Sequence, residues 1–217
     1  MAHSGFVRAR RPEHKRQRRE AILAAARELA LESGVRNVSL GGVAAAVGLA
    51  KSNVVRYFGT REEIYLELTA EGWRDWGDAV TERLRDATGP DDVIDALAET
   101  LAARPLFCDL LSQLSTSLEH NVSVPAARAF KRATIDVLAD LGARVAEAHG
   151  GLTESEGFEL VAAAGAVAQA VYPAAHPSAT MTEVYAQDPD LAAACPAFLP
   201  TLRRMLTVVA AGLPAVR

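Results

Sequence analysis

The stretch from Ser39 to Phe58, SLGGVAAAVGLAKSNVVRYF, constrains the fold of this 217-residue chain more than any other. Two short helices that cross steeply need small side chains where they touch, and Ala44 with Gly48 four positions on supplies them. Gly48 also stands where the first helix must stop, a place for positive φ that glycine adopts without strain. Val43, Val47 and Leu49 form an apolar side on the first helix and turn, and Val54, Tyr57 and Phe58 repeat at i, i+3, i+4 on the second. Lys51, Ser52, Asn53, Val55 and Arg56 are then left to face outward. Ser39 is placed to cap the first helix, its hydroxyl accepting an otherwise unpaired backbone N–H. This is the spacing of a helix-turn-helix, whose second helix fits a DNA groove. The same pattern suits two helices packed in an ordinary helical domain, and the flanks weigh against that alternative.

Charge divides the chain. Residues 1–61 carry 12 Lys and Arg against four Asp and Glu, a net of +8, while residues 62–217 carry 11 against 23, a net of −12. A basic end beside an acidic body suits a protein that brings one end, and not the other, to phosphates. Much of the positive charge lies in MAHSGFVRARRPEHKRQRR, which has little apolar surface to bury. Residues 1–17 are expected to form a flexible basic arm in which Arg8, Arg10 and Arg11 follow phosphates or enter a minor groove. The alternative is a merely solubilising tail.

The remaining composition points to an all-α fold. Half the residues are hydrophobic and 6% aromatic, alanine is prominent, and no run alternates β-branched with polar residues. A small N-terminal DNA-binding domain of three helices (18–61) and a larger helical domain (62–217) are expected. Cys108 and Cys195 lie far apart and outside any CxxC pair, which suggests two reduced thiols. The five histidines are scattered and no GxSxG appears, so no catalytic group, metal or cofactor is expected and the chain does not read as an enzyme. The N-terminus has no apolar signal region, and Gln169 and Pro173 interrupt the apolar stretch from Leu160 to Ala175, short of the roughly 20 residues that span a bilayer. The reading is a soluble, cytoplasmic protein with no membrane partner.

Along the chain, a helix is expected over Arg18 to Glu32, and Thr60-Arg61-Glu62-Glu63 reads as a capping box opening a long helix toward Arg85. Further helices are expected from Pro90, over Pro105 to Glu119, and from Pro125 to Gly150. A second capping box, Thr153-Glu154-Ser155-Glu156, precedes a helix to Ala175 that is apolar almost all round. Residues 176–196 read as a broken connection, and Phe198 to Gly212 as the last helix. Two such apolar helices cannot be covered within one chain, so residues 155–175 and 197–212 are expected to pair with their copies as a four-helix bundle.

The basic arm, the first helix and the segment SLGGVAAAVGLAKSNVVRYFGTREEIY, followed by about 150 helical residues, resemble the tetracycline-repressor-like (TetR) family of bacterial regulators. Ser39, Val43-Ala44, Gly48, Tyr57-Phe58 and Thr60 to Ile64 sit at the family's usual residues, whereas Ala50 stands where Ser or Thr is common and Val55 where an aromatic is frequent. The resemblance implies a homodimer whose recognition helices enter successive major grooves of double-stranded operator DNA, about 34 to 36 Å apart. It further implies Lys51, Ser52, Asn53 and Arg56 as base or phosphate contacts, and Ser39, Tyr57 and Arg61 as phosphate contacts. The chemistry of guanidinium on guanine and carboxamide on adenine favours Arg56 and Asn53.

The family's C-terminal region implies a chamber for a small-molecule effector. Trp73, Trp76, Phe107, Cys108, Leu111, Phe130, Thr134, Gln169 and Tyr172, aromatic or lone polar groups on apolar helices, are its candidate lining. The function implied is a homodimeric repressor released from its operator by that ligand. The alternative is an architectural or constitutive DNA-binding protein without one.

Overall fold

The computed structural model describes the backbone from Gly5 and side chains from Glu13 onward, to Arg217. All its regular elements are helical: α1 Gly5–Ser33, a 3-10 turn Val35–Asn37, α2 Leu40–Ala46, α3 Lys51–Val55, α4 Arg61–Leu84, α5 Pro90–Ala102 and α6 Pro105–Gln113. A π-helical turn, Leu114–Leu118, leads to α7 Val124–His149, α8 Glu154–Ala175, α9 Ala179–Gln187, α10 Pro189–Ala193 and α11 Phe198–Gly212. The all-α architecture, with a small helical module ahead of a larger helical domain, is as expected.

Local chemistry starts and stops these helices. Ser39 Oγ accepts the Gly42 N–H at 3.0 Å, and Thr60 Oγ1 accepts the Glu63 N–H at 3.2 Å. Proline occupies the first turn of α5, α6 and α7, where its missing donor costs nothing, and α7 ends on Gly150 at φ +72°. The box at Thr153 is reciprocal: its Oγ1 accepts the Glu156 N–H, and Glu156 Oε2 accepts the Thr153 N–H at 2.7 Å. The one at Thr60 is not, because the Glu63 carboxylate turns instead to the N–H groups of Gly59 and Ser123, both at 2.9 Å.

In the body, α8 packs against α6, α7 and α11, α11 also packs on α5, and α4 lies between α5 and α7. Where α7 and α8 cross, a Cβ on Gly157 would sit 2.1 Å from the Gly142 carbonyl oxygen, so only glycine permits that approach. By length and composition α8 is apolar enough to cross a bilayer, contrary to the sequence reading. In the fold its Leu160, Val161, Ala164 and Ala168 are wholly buried core residues.

Four elements differ from the sequence expectation. Helix α1 begins at Gly5 rather than Arg18, and i,i+3 and i,i+4 pairs of Arg16 with Glu13 and Glu20 support its polar part. The helix expected over 105–119 loosens into the π turn after Gln113. The broken connection at 176–196 contains α9 and α10, which bury no residue. Gly165, within the stretch 155–175 expected to pair with its copy in a second chain, instead lies buried against Trp73, where a Cβ would fall 2.6 Å from the indole.

Candidate nucleic-acid interface

Helix α2 and α3 are joined by a turn that needs Gly48 for its conformation, φ +65°, and not for close approach, since nothing lies within 4 Å of a Cβ built there. The contact is made by Ala44, buried on α2, and by Val43, Val54 and Phe58, all at most 2% exposed. Five residues long and without a capping side chain at Ala50, α3 is held by its neighbours rather than by its own hydrogen bonds. Two guanidiniums brace the module, one just after α3 and one ahead of α2. Arg19 on α1 donates to the Tyr57 carbonyl at 2.7 Å, lies 3.9 Å over the Phe58 ring and pairs with Glu67 on α4. Arg61 at the start of α4 donates to the carbonyls of Val38, at 2.5 Å, and Val35.

Burying Val54 and Phe58 leaves Lys51, Ser52, Asn53, Val55 and Arg56 exposed, as the spacing requires. Ser39 is exposed at the start of α2, and Tyr57 is half-buried, packed on the core. Arg61 does not join this group: its guanidinium is turned inward and engaged on backbone carbonyls. Arg8, Arg10 and Arg11 lie outside the residues whose side chains are described.

The structure adds residues that the sequence reading left in a flexible arm. A cleft of about 950 Å³ runs between α1 and α3, lined by His14, Lys15, Gln17 and Arg18 on one wall and Leu49, Asn53, Arg56 and Tyr57 on the other. Among the described residues Lys15, Arg18, Lys51 and Arg56 make no ion pair, whereas Arg16 is neutralised by Glu13 and Glu20. Helical continuity from Glu13 to Arg19 was the missed signal: four residues after Lys15, Arg19 is already anchored in the fold.

The residues expected around an effector chamber are mostly packed. Trp73, Trp76 and Phe107 meet edge to face or tilted, with centroids 5.3 to 6.3 Å apart. Trp76 Nε1 donates to Thr100 Oγ1 at 2.9 Å. Cys108 and Leu111 are buried beside them, and burial pushes the Cys108 thiol up to about 12. Gln169 Nε2 donates to Ser115 Oγ at 2.7 Å, and Tyr172 stacks on His176 at 4.1 Å. Among the described residues, Trp73 Nε1 and Thr134 Oγ1 are buried without a hydrogen-bond partner. At the junction with α1, Phe130 lines a cleft of about 330 Å³ with Arg19 and Phe58, and Phe107 one of about 170 Å³ with Arg27 and Leu31.

A model of the bacterial regulatory proteins of the tetR family matches residues 22–68, and one of the tetracyclin repressor-like C-terminal domain matches residues 70–217. The chain belongs to the TetR family. This TetR-family protein is therefore a DNA-binding transcriptional regulator of the helix-turn-helix type.

Its fold is that of FadR from Thermus thermophilus, a transcriptional repressor solved with lauroyl-CoA: 18% identity over 88% of this chain and 92% of that one, TM-score 0.58. FadR from Bacillus halodurans, a fatty acid degradation regulator, is 14% identical over 89% and 98%, and the multidrug binding protein EbrR, complexed with imidazole, 19% over 88% and 94%; both have TM-scores of 0.53. No curated protein matches the chain in sequence.

Proposed function

We propose that this regulator is a homodimeric repressor that reads a two-fold symmetric operator through Lys51, Ser52, Asn53 and Arg56 and is released by a small molecule. The observation that carries the reading is the cleft in which Lys15 and Arg18 of α1 face Asn53 and Arg56 of α3. Cations on one wall suit phosphates, and a carboxamide and a guanidinium on the other suit base edges. Tyr57, lining the cleft, and Ser39, exposed at the start of α2, serve as phosphate contacts, and Val55 offers an apolar surface to a thymine methyl.

The exposed sides of α8 and α11 support dimerisation. Small residues, Ala166 and Ala170, are exposed on α8, and Met205 and Val208 on α11 are 49% and 63% exposed. Four such helices, two per protomer, bury a continuous apolar face. The buried Trp73 Nε1 and Thr134 Oγ1, without hydrogen-bond partners among the described residues, support a ligand that supplies acceptors to them. The close packing of Trp73, Trp76 and Phe107 favours a second reading, a constitutive DNA-binding protein without an effector. The ligands in two structural neighbours, lauroyl-CoA and imidazole, differ widely in size and polarity, so the fold does not name one.

Selection of bound fragments from a random duplex pool tests the proposal. The expected product is an inverted repeat with half-sites about one helical turn, 10 to 10.5 base pairs, or a multiple of it apart. An asymmetric motif would contradict the symmetric dimer, and a pool that enriches for nothing would contradict operator reading. Release is tested by reciprocity: an effector that weakens operator binding must itself bind the operator complex less tightly by the same factor.

A further inference from the structure

Helix α6 touches both halves of the molecule. Phe107 leans over Gly72 and meets Trp73 and Trp76, while Cys108 and Leu111 are buried in the same aromatic core. Between them, Asp109 points the other way. Its Oδ2 accepts the backbone N–H of Val35 at 2.7 Å, across 74 positions of sequence.

Val35 opens the 3-10 turn that links α1 to α2, and that turn has little regular structure to hold it. Gly34 before it sits at φ +82°, and the Gly34 N–H closes α1 on the Ala30 carbonyl at 2.8 Å. The turn is suspended between two helices of the body: the Arg61 guanidinium of α4 takes the Val35 and Val38 carbonyls, and the Asp109 carboxylate of α6 takes the Val35 N–H. One residue of the turn therefore gives its acceptor to a cation and its donor to an anion. Hydrogen bonds to ionised partners are the stronger kind and are directional. Other joints between the halves hold different segments: Thr60 Oγ1 donates to the Asn121 carbonyl and Glu63 accepts the Ser123 N–H at the start of α4, while Glu67, Glu71 and Tyr65 of α4 hold α1 through Arg19, Arg27 and the Ala26 carbonyl.

We propose that Asp109 is a positioning residue for operator binding: through Val35 it fixes the α1–α2 turn, and with it the angle at which the α1–α3 cleft meets DNA. The inference rests on the proposed operator reading. An alanine in place of Asp109 removes the acceptor and leaves the apolar faces of α6 intact, and an asparagine restores an acceptor oxygen of the same shape without the charge.

The test compares the parent protein with Asp109→Ala and Asp109→Asn for affinity toward the selected operator and toward an unrelated duplex, together with amide exchange at Val35. The expected result is a loss of roughly tenfold in operator affinity for the alanine variant, the worth of one charge-assisted hydrogen bond. Affinity for the unrelated duplex should be unchanged, Val35 exchange should be faster, and the asparagine variant should recover most of the loss. Equal operator affinity in parent and Asp109→Ala would overturn the proposal, and so would an equal loss on both duplexes, which is the mark of general unfolding. A parent that selects no operator would defeat the operator reading instead; Val35 exchange unchanged in Asp109→Ala would then defeat the positioning contact separately.

Discussion

Helix α3 is five residues long, has no capping side chain and leaves Lys51, Ser52, Asn53 and Val55 exposed, whereas α8, with 22 residues, begins with a reciprocal cap and buries seven of them. The first is a helix maintained by others so that its side chains stay free; the second holds others together. Energetically the two ends differ in kind. At the DNA end, guanidiniums of Arg19 and Arg61 satisfy carbonyls of segments too short to sustain themselves. In the body, stability comes from apolar burial and from backbones in contact at Gly142 and Gly157. Changes at the packed crossings of the body should therefore act on folding, and changes at the exposed side chains of α1 and α3 on DNA binding.

The largest expected effect is Gly157→Ala. Its Cβ has no room beside the Gly142 carbonyl, so α7 and α8 must separate, at a cost of about 3 kcal/mol in chemical denaturation. A variant as stable as the parent would show that the body is not held by that crossing. Next, Lys15→Ala with Arg18→Ala should weaken binding to every duplex and flatten the dependence of log affinity on log salt by about one per removed cation. An unchanged salt slope would mean that α1 does not follow phosphates.

A smaller effect should appear in acid. The bidentate Arg217 guanidinium, followed by the Thr153 N–H, holds the Glu156 carboxyl well below its ordinary value, at about 2. A depressed folded-state pKa adds stability above the ordinary value of 4.5 that is lost as the pH falls toward 2. Glu156→Gln should therefore lower the unfolding midpoint at pH 7, with the gap to the parent closing through that window. A gap independent of pH would assign the effect to shape rather than charge.

The smallest effect is a labelling difference. Cys108 is fully buried, while Cys195 is half-buried on the connection before α11. Iodoacetamide should modify Cys195 alone in the native protein and both thiols in denaturant. Native labelling of Cys108 at a comparable rate would show a core far more open than the packed rings of Trp73, Trp76 and Phe107.

The same contrast explains what the sequence revealed. The recognition segment was legible because a helix-turn-helix fixes which positions are buried: once Val54 and Phe58 go inward, Lys51, Asn53 and Arg56 must come out. Arg61 was not, since an arginine at a helix start reads equally as a phosphate ligand or a cap for carbonyls elsewhere, and Val35 and Val38 are more than 20 positions away. Lys15 reads as part of an arm because composition there has no apolar stripe; its helix is extended from an anchor, Arg19, whose partners Tyr57 and Glu67 are distant in sequence. In the body, an aromatic that fills a core and one that lines a chamber look alike in sequence, and Trp76 is decided by Thr100 across a helix interface. Gly165 was misplaced for the same reason: small residues on an apolar helix do not state which neighbour approaches, and here it is Trp73 of the same chain.

The central claim is that the exposed face of α3 reads sequence. Its most direct test is the equilibrium affinity of Arg56→Ala and of the parent for the selected operator and for a scrambled duplex of equal length. The account predicts a loss of about 1 to 3 kcal/mol on the operator, a much smaller loss on the scrambled duplex, and relaxed preference at one position of each half-site. Equal affinities of the two proteins for the operator would contradict it.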